Sequence, residues 1–461
     1  MRRVHVLVLV GVLALGLVQA SQVWAQGYSV YEQGSCAIGR GGASVALPCP
    51  DGSSVFFNPA GIAFVPGKTL SIGAAAIMPT GSFTNDTTKD VSTLNKKTYP
   101  VPNFYYTQSI GGALSAGIGV FAPYGLTTDW PTTSEGRFLG YKSMVQGLYI
   151  QPTVAYKLTE RISIGFGVDL TYLNVELRQR VDLSVQQLAP GVTFAAIGVP
   201  AGTDFADVQL KGNNWHAGYH IGFQAKAADR VSIGLRYLSG QKVKVANGTL
   251  NTQQIMTNQV TKFPLPGIPA GTPLDVIVAP QFSAGAALES GQTGSTTLPL
   301  PAQFVVGTAI QATRKLVVLF DYQYTNWAAF DTLEIQKENS PDKPTVTFED
   351  YNNTSGFRFG AEYAASPSFV VRGGFVYNTA GAPDQTVTPN LPEGKRYWPT
   401  AGLSARLSNS AHLDFFYLYL YQPDRAGRST DGGMAKPTAD VNNGVYRFRA
   451  NLFGATVAFR F

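Results

Sequence analysis

Hydrophobic and polar positions alternate one for one through much of this chain, the period of a strand whose two faces meet different surroundings. From Ile162 to Tyr172 the even positions are Ile162, Ile164, Phe166, Val168, Leu170 and Tyr172, and the odd ones are Ser163, Gly165, Gly167, Asp169 and Thr171. Trp215, Ala217, Tyr219, Ile221 and Phe223 alternate with His216, Gly218, His220, Gly222 and Gln224. Phe369, Val371, Phe375 and Tyr377 oppose Arg372, Gly374 and Asn378, and Leu413, Phe415, Tyr417, Tyr419 and Tyr421 oppose His412 and Asp414. Such runs predict fourteen strands, starting near Leu70, Asn103, Leu114, Val145, Ile162, Trp215, Val231, Gln303, Leu316, Gly356, Phe369, Arg396, Ala411 and Tyr446.

The links between these strands alternate in length. Gly111-Gly112, Thr159-Glu160, Ala228-Asp229, Thr313-Arg314, Ser366-Pro367 and Asn409-Ser410 mark tight turns. The links at 79–99, 122–143, 178–212, 248–297, 337–353, 379–394 and 422–444 are long. Short periplasmic turns facing long extracellular loops are the rule in bacterial outer-membrane barrels, and an even strand count puts both termini in the periplasm. The last run sets Phe453, Ala455, Val457, Phe459 and Phe461 on one face. A terminal strand ending in Phe resembles the signal read by barrel-assembly machinery, which makes that machinery an expected partner. The expected fold class is all-β: a 14-stranded antiparallel transmembrane β-barrel over residues 67–461.

Composition sharpens this picture. Only 14% of residues are charged, 12% are aromatic and 49 are Gly, whereas a soluble domain carries roughly 25% charge. Met1-Arg2-Arg3, an apolar run from Val4 to Val18 and Val23-Trp24-Ala25 read as a secretory signal peptide over 1–25. No later apolar run has the ~20 residues that a membrane helix needs. The net charge of +6 falls to +4 when Arg2 and Arg3 leave, too little and too scattered for a nucleic-acid partner. Cys36 and Cys49 are the sole cysteines. In an exported chain such a pair is expected to form a disulfide, with two free thiols as the alternative. The cysteines and His216, His220 and His412 lie too far apart to suggest a metal site. Residues 26–66 do not alternate, and their apolar content argues for a packed plug within the barrel over a disordered tail.

Several short motifs then carry a resemblance along the mature chain. They are Gln26-Gly27-Tyr28, Asn58-Pro59-Ala60-Gly61, Tyr124-Gly125-Leu126, Leu210 to Trp215, Leu298-Pro299, Tyr324 to Trp327 and Arg396-Tyr397-Trp398. In this order they resemble the FadL/TodX-type outer-membrane transporters of hydrophobic compounds. The resemblance implies an N-terminal hatch in a fourteen-stranded barrel. Extracellular loops would catch an apolar substrate, a buried pocket touched by the N-terminus would hold it, and a gap at a kinked third strand would release it sideways. No cofactor is implied. The expected partners are a hydrophobic small molecule and the outer-membrane lipid and lipopolysaccharide around a monomeric barrel.

The resemblance also nominates residues. Tyr28 is the first expected ligand contact, with Phe56 and Phe57 lining the path or packing the plug. Asn58, Pro59 and Ala60 are expected to shape the gate. Gly117 and Gly119 in the third strand, followed by Pro123, mark the expected kink, or are ordinary barrel glycines. Arg178 and Arg180 fall where fatty-acid members place a basic residue, and a change of phase near Val175 would turn Asn174, Glu176 and Arg178 inward. Their alternative is a solvated loop base. Near Thr347 to Tyr351 there is Glu349-Asp350 in place of a second basic residue, so long-chain fatty acids and aromatic hydrocarbons both stand as substrates. A general porin is the competing reading, which a polar constriction would favour. A barrel phospholipase is more distant, since no serine sits persuasively beside His216 or His220.

Overall fold

A computed structural model describes residues 27–337, 344–427 and 443–461; the expected signal peptide lies outside them. Its barrel strands are β1 (Lys68–Asn85), β2 (Tyr99–Gly111), β3 (Leu114–Asp129), β4 (Lys142–Thr159), β5 (Ile162–Asp182) and β6 (Asp204–Ala228). Four interrupted strands follow: β7 (Val231–Leu238 and Gln241–Gln254), β8 (Gln292–Leu300 and Gln303–Gln311), β9 (Leu316–Thr325 and Thr332–Lys337) and β10 (Thr345–Phe348 and Thr354–Ala364). β11 (Phe369–Asn378), β12 (Arg396–Arg406), β13 (Ala411–Gly427) and β14 (Gly444–Arg460) complete the set. Each strand pairs antiparallel with the next. β14 returns to β1 from Thr69↔Arg460 to Asn85↔Gly444, so the fourteen strands close into a barrel.

Alternation sets which face looks where. Ile164, Phe166, Val168 and Leu170 are exposed on the outside of β5, while Ser163, Gly165, Gly167, Asp169 and Thr171 are buried inside. This is the inverse of a soluble protein, and it suits a wall that meets lipid outside and a packed lumen inside. All fourteen expected strands are present, but several are longer than alternation indicated. β5 runs to Asp182, β6 begins at Asp204, β7 reaches Gln254 and β8 begins at Gln292. Above the membrane the outer face of the sheet turns polar, as at Asn174, Glu176 and Arg178 of β5, so the apolar-outside pattern is lost while the backbone ladder continues.

The lumen is filled by the chain's own beginning. Two very short helices, α1 (Ser35–Gly39) and α2 (Ser54–Phe57), precede a 3-10 turn at Pro59–Phe64. Such short helices do not hold themselves in water; here the wall and one cross-link hold them. Cys36 and Cys49 form a disulfide with their Cα atoms 6.1 Å apart. The amides of Ser44 and Val45 donate to the Asp321 carboxylate of β9 at 2.8 and 3.0 Å. The Tyr105 hydroxyl of β2 donates to the Gln33 carbonyl at 2.7 Å, and Ser163 of β5 to the Ala60 carbonyl at 2.9 Å. Arg40 reaches Glu362 of β10 at 3.2 Å, and Glu362 in turn meets Arg372 of β11 at 2.7 Å. Every side of the barrel therefore grips the segment.

Where backbone meets backbone, the wall has glycine. A Cβ added at Gly402 of β12 would stand 2.6 Å from the Gly39 Cα, with no flexible side chain to yield. Gly402→Val is expected to weaken the docking of α1 by ~1–3 kcal/mol, the usual scale of overpacking. Ala401→Val on the exposed outer face should not. Hydrogen exchange of residues 35–45 in the assembled barrel measures the difference; equal protection in the two variants would refute this packing argument.

Candidate functional site

Between β2 and β3 the wall comes apart. Their ladder runs from Gly111↔Leu114 up to Phe104↔Val120 and stops. Above it, Tyr99–Asn103 of β2 still pair with β1, and Tyr124–Asp129 of β3 still pair with β4, across a register shift between Phe121 and Tyr124. Pro100, Pro102 and Pro123 flank the break, and proline has no N–H to donate to a ladder. The opening closes again at the top, where Asn95 N–H donates to the Asp129 carbonyl at 2.8 Å and Lys97 pairs with the Asp129 carboxylate.

The freed edge of β3 is not left bare. The Val30 amide donates to the Pro123 carbonyl at 2.8 Å, and the Gly125 amide to the Tyr28 carbonyl at 2.9 Å. Gln33 receives the Ala122 amide at 3.1 Å and donates to the Ala122 carbonyl at 2.7 Å. The N-terminal chain thus stands in for the missing neighbour.

A cavity of about 490 Å³ lies at this break. Gly27, Ser29, Val30 and Glu32 form one side, and Arg396 and Trp398 of β12 another. Ile77, Val101, Leu126 and Phe448 make the inner walls apolar. The cavity passes between Pro100 and Ala122–Thr127 to Leu148 and Tyr172, which lie on the outer face of β4 and β5. It is therefore open to the lumen and to the bilayer side together. Glu32, Arg396 and Trp398 are among its polar lining. Burial pushes the Glu32 carboxyl upward, against the backbone amides that favour its charged form. Arg396 meets Gln422 at only 3.4 Å, and the buried Trp398 Nε1 has no hydrogen-bond partner among the described residues.

The nominated residues divide around this cavity. Tyr28 does not point into it: its ring packs edge-on against Trp327 at 4.7 Å and Phe330 at 5.7 Å, and its hydroxyl donates to the Pro299 carbonyl. Its backbone neighbours line the cavity instead. Phe56 and Phe57 are buried in the plug below, against Tyr31 and Phe121, with the Arg236 guanidinium 4.3 Å above the Phe56 ring. Asn58 is an anchor: its amide donates to the Val45 and Phe223 carbonyls at 2.6 and 3.0 Å, and its oxygen caps Ala60 at 3.1 Å. Pro59 and Ala60 press on Gly165.

Two expectations are overturned by register. Arg178 and Arg180 do not reach the lumen, because β5 pairs with β4 and β6 without a bulge from Leu170 to Arg178 and, with β6, on to Val181, the nearest shift coming at Val181/Asp182. Both remain on the outer face, Arg178 with Glu176 at 2.8 Å and Arg180 with Asp207 at 3.1 Å. Gly117 and Gly119 lie inside the paired part of β3, below the break, and make room for Val55 of the plug rather than for an exit. The site residue missed was Arg396. Its motif Arg396-Tyr397-Trp398 carried the signal, since alternation puts Arg396 and Trp398 together, opposite Tyr397. His220 bonds Gln151 and Arg236, each at 2.9 Å, as part of the packed interior.

Above the cavity the extracellular parts interlock. Glu393 accepts from the amides of Gly27 at 2.9 Å and of Gly381 and Ala382 at 3.1 Å. Leu183, Phe194, Phe205, Leu274 and Val278 bury one another between two loops, while Phe263 and Val276 remain 62% and 63% exposed.

Comparison with known proteins fits this arrangement. Residues 16–461 match the family model described as outer membrane protein transport protein (OMPP1/FadL/TodX). The chain is 24% identical over 451 residues to a long-chain fatty acid transport protein of Salmonella typhi, covering 96% of each chain. A crystal structure of a Pseudomonas aeruginosa FadL homologue superposes with a TM-score of 0.79 at 18% identity, covering 95% of this chain and all of that one. The Pseudomonas putida toluene transporter TodX gives 0.64 at 15% identity, covering 95% and 99%.

Beside the Tyr28 nest, burial and then the charge of Asp350 push the Glu349 carboxyl up to about 8. A carboxyl raised in the closed structure favours its protonated form, so closure weakens as pH climbs from the ordinary value of 4.5 toward about 8 and is level beyond. Exchange at residues 349–351, taken as the ratio of wild type to Glu349→Gln at each pH, should therefore rise through that window. A ratio independent of pH would show that Glu349 is not held in its neutral form.

Proposed function

The chain belongs to the outer membrane protein transport family (OMPP1/FadL/TodX), an outer-membrane barrel family, and from that premise we propose passive uptake of hydrophobic small molecules, caught by the extracellular loops and released sideways between β2 and β3. The observation that carries this reading is the cavity continuous from the N-terminal chain to the outer faces of Leu148 and Tyr172. Sideways release keeps an apolar molecule out of water, which favours the route by ~25 cal/mol for each Å² kept covered. The apolar residues exposed on the loops, Phe263 and Val276 among them, support capture. Flux down a gradient needs no cofactor, and a lumen packed with the chain's own N-terminal segment weighs against an open porin.

The polar end of the cavity favours an amphipathic acid among such substrates. Arg396 and the Trp398 N–H together offer donors to a carboxylate, while the apolar walls take the tail. Arg396→Gln is expected to weaken oleate binding by roughly ten- to hundredfold, the worth of one charge-assisted hydrogen bond, and to leave toluene binding within about twofold. Isothermal titration in detergent measures both. An equal effect on the two ligands would sink the carboxylate assignment.

The exit is tested separately. Ala122→Trp fills the opening without touching Arg396. Uptake of a hydrophobic tracer by cells, at matched surface abundance, should fall at least fivefold while oleate affinity in detergent holds. Undiminished uptake would rule out passage between β2 and β3 and leave only a path past the N-terminal segment.

A further inference from the structure

A second surface of this barrel lies outside its transport path. On the outer face of the extracellular half, Lys142 of β4, Arg178 and Arg180 of β5, Lys211 of β6, and Lys242 and Lys244 of β7 form one sector. Its acids are already engaged: Glu176 receives Lys142, Arg178 and Gln209 at 2.9, 2.8 and 2.9 Å. Asp207 receives Arg180 at 3.1 Å and the Tyr141 hydroxyl at 2.7 Å. Six cations thus face two carboxylates, and Lys211, Lys242 and Lys244 form no ion pair among the described residues.

Their position explains what they lack. The Trp215 indole is 55% exposed and packs at 5.2 Å on Tyr172, the kind of ring pair that marks a membrane boundary. Lys211 stands four residues further out on β6, roughly 13 Å along the strand. Lys244 lies level with the rings, for its carbonyl accepts from Asn214 Nδ2 at 2.7 Å, and Lys242 is deeper still. A lysine on the lipid face at or below the boundary is unfavourable unless its ammonium reaches a headgroup. The strands splay here as well: the β6–β7 ladder is broken between His220↔Leu238 and Lys211↔Thr249, leaving Gly212–Tyr219 exposed on both faces apart from Gly212 and Gly218.

We propose that this β4–β7 face binds the phosphorylated headgroup of an outer-leaflet glycolipid, that is, lipopolysaccharide, with Lys211, Lys242 and Lys244 on its phosphates and Trp215 against its sugars. Ammonium groups match phosphate, and an exposed indole matches a sugar face, so the pairing selects a phosphosugar over a simple phospholipid. The proposal rests on the outer-membrane location and not on any transport route.

The test uses the folded chain in detergent, titrated with lipopolysaccharide, with lipopolysaccharide stripped of its lipid A phosphates, and with phosphatidylglycerol, read by native mass spectrometry. Intact lipopolysaccharide should bind at least tenfold more tightly than either comparison lipid. The Lys211→Glu, Lys242→Glu, Lys244→Glu triple variant should lose that advantage while keeping heat-modifiable migration and oleate affinity. If the triple variant fails to assemble, Lys242→Gln with Lys244→Gln should still weaken binding at least threefold. Unchanged affinity in the variants or equal affinity for the dephosphorylated form would overturn the phosphate assignment. Equal binding of phosphatidylglycerol would overturn the choice of a glycolipid.

Discussion

In hydrocarbon there is no water to satisfy a backbone amide, so every N–H and C=O of a spanning strand must find a partner within the protein. That constraint governs this structure. It requires β14 to close on β1, and it sets a cost on the break between β2 and β3 that falls when something replaces the lost strand edge. At β3 the replacement is the N-terminal chain, through Val30, Gln33 and the Tyr28 carbonyl. The opening and the segment beside it are one device: residues 28–33 both complete the sheet and form a wall of the cavity. Anything that displaces them frees the β3 edge.

The same segment explains why the interior is unlike a porin's. Its helices are too short to persist unaided, and its hold comes from wall groups such as Asp321, Tyr105 and Ser163, together with the Cys36–Cys49 disulfide. Glycine on the wall lets the two backbones touch, as at Gly39 and Gly402. Inward-facing Ser, Thr, Gly and Asp are therefore interface residues of a packed core, not the lining of a water-filled pore.

The fold was legible because a barrel strand writes itself in period two, and all fourteen strands were found from Ile164 against Ser163 and its like. Their upper ends were not, since above the bilayer Asn174, Glu176 and Arg178 lose the apolar contrast that marks a face. The assignment of Arg178 and Arg180 failed for the same reason: Val175 and Leu177 look like a change of phase, yet they are the inward row of an unbroken strand once that row turns apolar above the plug. The disulfide was readable from the isolation of its two cysteines. The kink was placed on glycines, whereas the ladder is broken by prolines at Pro100, Pro102 and Pro123, which remove donors where Gly117 and Gly119 only remove side chains. The role of Tyr28 depends on distant partners, Trp327 and Pro299, that no local pattern reveals.

The cavity's polar groups narrow the chemistry that suits it. Burial pushes the Glu32 carboxyl upward, against the backbone amides that favour its charged form, which lessens its opposition to an anion. Arg396 carries a positive charge on the opposite side, and its hydrogen bond among the described residues is the 3.4 Å contact to Gln422. On the proposed reading, Arg396 and the Trp398 N–H are the groups of this cavity that would favour a ligand bringing its own carboxylate. A purely aromatic hydrocarbon would fill the apolar walls but leave Arg396 and the Trp398 N–H unanswered. An unanswered buried donor such as the Trp398 N–H is costly, so on the proposed reading discrimination between the two substrate classes would fall on this pair rather than on the apolar walls.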